Sequence, residues 1–193
     1  MLQVWEGNKK RRLDELFQIE HKTEDASEKT TIRIIGDLHK VRRIGAKMSK
    51  GRIIIEGDAG MHLGEEMEGG VITVTGNAGS WTGGMMKGGI IEIKGDAGDY
   101  VGAAYRGSTH GMSGGTIIVY GNAGNEVGCF MRNGLIKVYG NVGQFAGIHM
   151  RKGTIFIQGN SEGRAGAQMK KGKIVVCGNI PVSYTHLTLP TKA

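Results

Sequence analysis

Five cations recur at one place in a repeating frame: Lys87, Arg106, Arg132, Arg151 and Lys170 each stand eleven residues after a glycine, and Lys152 and Lys171 adjoin the last two. Stacked about 4.8 Å apart, neighbouring charges would repel by roughly 0.9 kcal/mol even in bulk water. Long side chains splay to relieve much of that. Such a column reads either as a solvated ridge that keeps an elongated molecule soluble or as a docking stripe for a polyanion or an acidic partner surface. The net charge of +7 admits nucleic acid as a polyanion, but the column has no interleaved aromatics, and only 6% of residues are aromatic, so base stacking has nothing to work with.

The remaining reactive residue types do not assemble into a catalytic pattern. Cys129 and Cys177 are separated by 47 residues and fall at different repeat offsets, which rules out a CxxC metal or cluster signature. His21, His39, His62, His110, His149 and His186 are scattered over different columns. The GxG strings recur throughout and lack the strand-to-helix context of a dinucleotide fingerprint. A column of Met48, Met67, Met86, Tyr105, Met131, Met150 and Met169 is explained by methionine filling an irregular interior. No catalytic residue, cofactor or metal is expected on this chain.

The elements that would position these columns come from a nineteen-residue unit headed by Gly-Asn or Gly-Asp. Heads fall at Gly36, Gly57, Gly76, Gly95, Gly121, Gly140, Gly159 and Gly178, with spacings of 21, 19, 19, 26, 19, 19 and 19. Periodicity on this scale is the signature of a solenoid. Apolar pairs two residues apart precede most heads: Ile72 and Val74, Ile91 and Ile93, Ile136 and Val138, Ile155 and Ile157, Ile174 and Val176. Alternate residues of a strand face one way, so each pair points inward from one short strand. The fold class is therefore all-β, a single-stranded right-handed parallel β-helix of about seven coils, with the hand set by the crossover rule. The 35 glycines against two prolines mark corners rather than collagen or a flexible linker. The column Asp37, Asp58, Asn77, Asp96, Asn122, Asn141, Asn160 and Asn179 reads as an Asn/Asp ladder along the stack. Cation binding by its acidic members is the alternative.

Two departures from the repeat stand out. The coil after Gly95 carries seven extra residues, in the stretch 105–115 that contains His110, and a solenoid extrudes such an insertion as a loop on one face. The ends also differ in kind. Residues 1–30 are expected to form an N-terminal cap with a short helix through Leu13, Leu16 and Phe17; 31–179 the β-helix; and 180–193 a non-repeat tail of foreign origin. No apolar run could span a membrane and no signal peptide is evident, which points to a cytoplasmic protein.

The stretches KVRRIGAKMSKG (40–51), GDAGMHLG (57–64), GNAGSWTGGMMKGG (76–89), GDAGDYVGAAYRGSTHGMSGGTI (95–117), GNAGNEVGCFM (121–131) and GQFAGIHM (143–150) closely resemble the C subunit of formylmethanofuran dehydrogenase. The resemblance covers about residues 1–179 and includes the irregular stretch after Tyr105. The C subunit of the formyltransferase/hydrolase complex is closely related, and the C-terminal β-helix of glutamate synthase more distantly similar. Each offers an alternative function. The resemblance implies a structural, non-catalytic subunit of a complex that reduces carbon dioxide onto methanofuran. A tungsten or molybdenum pterin and iron-sulfur clusters would lie on partner subunits. It also implies partners for the basic column: first another subunit, and second the glutamyl tail of methanofuran, with Lys87, Arg106, Arg132, Arg151, Lys170 and His110 as the contact residues. Family chains continue beyond the point where this one leaves the repeat.

Overall fold

A computed structural model describes residues 3–6, 8–16, 20–22 and 30–181. Eight parallel strands stack in register: β4 (Thr31–Ile35), β6 (Arg52–Glu56), β7 (Val71–Val74), β8 (Ile90–Ile93), β9 (Thr116–Val119), β10 (Leu135–Val138), β11 (Thr154–Ile157) and β12 (Lys173–Val176). The heads alone imply about seven coils. The eighth rung arises because β4 precedes the first head, Gly36. The molecule is an all-β parallel solenoid, as the repeat predicts, with a spacing near nineteen residues.

The apolar pairs face inward. Ile72 pairs with Ile91, Ile91 with Ile117, Ile117 with Ile136 and Ile136 with Ile155 in successive rungs, and each is fully buried. A second wall consists of single parallel bridges running Leu38, Ala59, Ala78, Ala97, Ala123, Val142, Ser161. The third is built from turns whose buried side chains are Ile44, Leu63, Val101, Val127 and Ala146, with Thr82 in the same column donating its hydroxyl to the Gly79 carbonyl at 2.8 Å. Burial of two branched aliphatics per rung needs the next rung as its partner, which is why the stack rather than the coil is the stable unit.

The corners are tight. Gly83 has φ of +64°, and a Cβ there would lie 2.4 Å from Ile117 Cδ1. The close approach of Ile117 is what selects glycine there, since other corners of this chain carry side chains at similar φ, Glu66 at +54° among them. The Asn/Asp column is a ladder in the structure: Asp58 Oδ1 accepts from the backbone N–H of Asn77 at 2.7 Å, Asn77 Oδ1 from Asp96 at 2.8 Å, and Asn141 Oδ1 from Asn160 at 2.8 Å. A shorter ladder runs beside it through Asp99, Asn125 and Gln144.

The N-terminal end of the stack carries both a helical turn and strands. Helix α1 is a single turn, Leu13–Leu16, and Phe17 lies outside the described residues. The sheet edge is covered by β3 (Glu20–Lys22), antiparallel to β4. An edge strand presents unpaired N–H and C=O groups that another strand can satisfy and a helix cannot. A hairpin of β1 (Gln3–Glu6) and β2 (Lys9–Arg12) pairs with β5 (Val41–Arg42) on the other side of the first coil. The tail beyond 181 lies outside the described residues. Among the described residues no helix is long and apolar enough to cross a membrane.

Candidate functional site

The backbone hydrogen bonds between coils fix which residues share the column of the basic ridge. Lys87 N donates to Met67 O, Ser113 N to Met86 O, Arg132 N to Met112 O, Arg151 N to Met131 O and Lys170 N to Met150 O. Ser113, not Arg106, therefore occupies the ridge in the irregular coil. The interior methionine of that coil is Met112, which is fully buried, whereas Tyr105 is 48% exposed. The extra seven residues lie before Met112 rather than after Tyr105 because burying a thioether in the core outweighs burying a phenol with no hydroxyl partner there. Arg106 and His110 stand on the extruded loop.

The ridge is thus interrupted. Lys87 lies on the far side of Ser113 and is paired with Glu68 at 2.8 Å. That contact raises the Lys87 ammonium above its ordinary range and holds the Glu68 carboxyl below its own. Arg132, Arg151 and Lys170 stand on three consecutive rungs with Lys152 and Lys171 alongside, and Arg151, Lys152, Lys170 and Lys171 are all exposed. Arg132 donates through Nε and Nη2 to the Thr109 carbonyl at 3.4 and 3.3 Å, which ties the extruded loop to the near end of the ridge.

Charge is distributed unevenly along the axis. Residues 30–100 carry nine Lys/Arg and nine Asp/Glu, whereas residues 101–181 carry nine Lys/Arg and only Glu126 and Glu162. The surplus of the second segment, nine against two, equals the +7 of the whole chain. In the first segment several cations are paired with nearby carboxylates: Arg33 with Glu56 at 2.9 Å, Arg43 with Glu65 at 3.0 Å, Lys94 with Glu92 at 3.5 Å. Among the described residues, no ion pair forms in the second segment. Arg164 there lies over the Phe145 ring at 5.2 Å.

A second feature was not singled out by the sequence reading. His62, Trp81 and Tyr100 stand five residues after successive heads, and all three have positive φ, of 62°, 57° and 65°. Stacking the coils stacks the rings: His62 on Trp81 at 5.5 Å and Trp81 on Tyr100 at 4.3 Å. Tyr105, at the start of the extruded loop, tilts against His62 and Trp81 at 6.0 and 6.2 Å. The shared offset was the available signal. His62 Nδ1 lies 3.4 Å from Glu65 Oε1, in contact but off the line of a hydrogen bond. Contact with His62, more than the charge of Arg43, holds the largely buried Glu65 carboxyl below its ordinary range against the opposing effect of burial.

Among the described residues no three His, Cys, Asp or Glu side chains come together in a set that could hold a metal. Cys129 is buried, and desolvation pushes its thiol up to about 12; Cys177 is exposed.

No protein-family profile matches the chain. The C subunit of molybdenum-containing formylmethanofuran dehydrogenase 1 from Methanosarcina barkeri is 46% identical over 62 residues, which are 32% of this chain and 21% of that one. The C subunit of tungsten-containing formylmethanofuran dehydrogenase 2 from Methanococcus maripaludis is 49% identical over 62 residues, 32% of this chain and 22% of that one. The match thus spans about a fifth of these curated relatives. In three dimensions, the formyltransferase/hydrolase complex of Methylorubrum extorquens, solved with methylofuran, superposes with a TM-score of 0.74 at 38% identity, over 78% of this chain and 57% of that one. The solenoid therefore resembles the formylmethanofuran dehydrogenase C subunit in sequence over a third of its length and a chain of the related formyltransferase/hydrolase complex in fold over most of it.

Proposed function

We propose that this chain is the structural, non-catalytic C subunit of a formylmethanofuran dehydrogenase complex, which reduces carbon dioxide onto methanofuran to give formylmethanofuran. The observation that carries this reading is the fold match at 38% identity over 78% of the chain, together with C-subunit relatives in both molybdenum and tungsten forms. The tungsten or molybdenum pterin and the iron-sulfur clusters sit on partner subunits, and the solenoid packs against those subunits.

The second reading is the C subunit of the non-redox formyltransferase/hydrolase complex, favoured because the matched structure is such a complex. Co-expression of the chain with the remaining subunits, followed by metal analysis of the purified assembly, separates the two. Molybdenum or tungsten in stoichiometric amount supports the first. An assembly with formyl transfer but neither metal supports the second. A chain that recovers no partner overturns both.

Methanofuran is the second-ranked occupant of the ridge in this reading, after a partner subunit, with its carboxylate tail at Arg132 and Arg151; the neighbour's co-crystallised methylofuran favours it. If the tail rather than a subunit lies there, Arg132→Ala with Arg151→Ala raises the apparent KM for methanofuran and leaves assembly intact; an unchanged KM sinks the tail as occupant, and loss of the partner subunits in the same variant assigns the ridge to docking.

A further inference from the structure

The subunit reading requires a partner surface but does not say where or of what kind. The uncompensated positive charge lies in residues 101–181, and within that segment Arg132, Arg151 and Lys170 occupy consecutive rungs of one column, with Lys152 and Lys171 doubling the last two. Rungs repeat about every 4.8 Å, so the three column positions fall at about 0, 4.8 and 9.6 Å along the axis. A helix rises about 1.5 Å per residue, so carboxylates at positions i, i+3 and i+7 fall at about 0, 4.5 and 10.5 Å and stay within about 1 Å of the ladder. An extended strand presents same-side residues every 6.8 Å or so and has slipped by about 4 Å at the third. The near end of the ridge is already shaped, because Arg132 holds the Thr109 carbonyl of the extruded loop there.

We infer that this ridge docks an α-helix of a partner subunit, laid along the solenoid axis with an acidic stripe of i, i+3, i+7 spacing facing Arg132, Arg151 and Lys170. The inference rests on the subunit reading and deepens it. The partner's stripe neutralises charge that this chain leaves unpaired, and the match of helical rise to rung spacing gives the contact its register.

The test uses the full chain co-expressed with the other subunits of the complex. Arg151→Glu with Lys170→Glu lowers recovery of the partner subunits at least about tenfold, whereas Lys40→Glu with Lys50→Glu, equal in charge change but on the balanced segment, leaves it unchanged. Arg151→Gln with Lys170→Gln serves if the reversed pair does not fold. Zero-length carbodiimide coupling of the wild-type complex then joins Lys152, Lys170 or Lys171 to partner carboxylates spaced three, four or seven residues apart in one segment. Full recovery of the ridge variant overturns the proposal and leaves the subunit reading standing, as do couplings to acids without that spacing. Full recovery with a raised KM for methanofuran hands the ridge to the ligand's tail. A wild-type chain that recovers no partner removes the subunit reading itself.

Discussion

At the scale of the residue, similar side chains have opposite prospects according to where the coil places them. Cys129 is buried beside Glu126, with its thiol pushed up to about 12, whereas Cys177 is exposed. The thiolate is the reactive form, so a disulfide reagent at neutral pH should label Cys177 promptly. In a Cys177→Ser variant, labelling should be at least about a hundredfold slower until the chain is denatured. Rapid native labelling of that variant contradicts the assigned burial. Glu65 carries a second prediction. Its carboxyl is held below the ordinary value of 4.5 by His62 and Arg43, so folding favours the ionised form. A depressed folded value contributes stability that is present above the unfolded value and lost as pH falls through the folded one. Glu65→Gln should therefore lower the melting temperature at pH 7 and reduce the loss of stability seen below about pH 4.5. Parallel melting curves of the two proteins across the acid range would contradict it. Neither residue was legible as such in the sequence, because burial and the His62 contact arise from stacking, which only the register of neighbouring coils defines.

At the scale of the element, what the sequence makes legible is periodicity, and what it hides is the placement of an insertion. The inward pairs, the Asn/Asp ladder and the strand register follow from spacing, because identical offsets become neighbours once coils stack. The irregular coil does not yield to that logic: Tyr105 and Met112 both fit the interior template, and only burial shows that Met112 fills it while Arg106 leaves the ridge. The aromatic stack of His62, Trp81 and Tyr100 was visible as a shared offset, but rings at positive φ defy the usual expectation for that region of backbone space. Corners are the sensitive part of each element. Gly83→Ala would force a side chain into a φ of +64° and against Ile117 Cδ1 at 2.4 Å. Left-handed strain of about 1–2 kcal/mol and overpacking of about 1–3 kcal/mol add to a loss of roughly 2–5 kcal/mol, read as a lower denaturant midpoint. A midpoint within error of wild type would show that the corner relaxes freely.

At the scale of the whole molecule, one apolar core runs continuously from Ile34 to Ala165, but each rung touches only its neighbours along it, so stability is close to a nearest-neighbour sum. Burial along the stack is correspondingly graded. The inward residues of β9, β10 and β11 are all fully buried, whereas in β12 Ile174 and Val176 are only partly so and Val175 is 37% exposed. The last described rung therefore has one packed face where central rungs have two. Opening it forfeits contacts with β11 alone, while opening β9 must break the pairings to both β8 and β10. Local opening free energies in native proteins span from near zero to the global value, and this geometry orders them along the axis. Native-state hydrogen exchange should show the amides of Lys173–Val176 exchanging at least about a hundredfold faster than those of Thr116–Val119, with Thr154–Ile157 between them. Docking of a partner on the adjoining ridge at Lys170 and Lys171 should slow the first group most, since those residues lead directly into β12. Equal protection across all three strands, lost together at one denaturant concentration, would instead mark the stack as a single cooperative block.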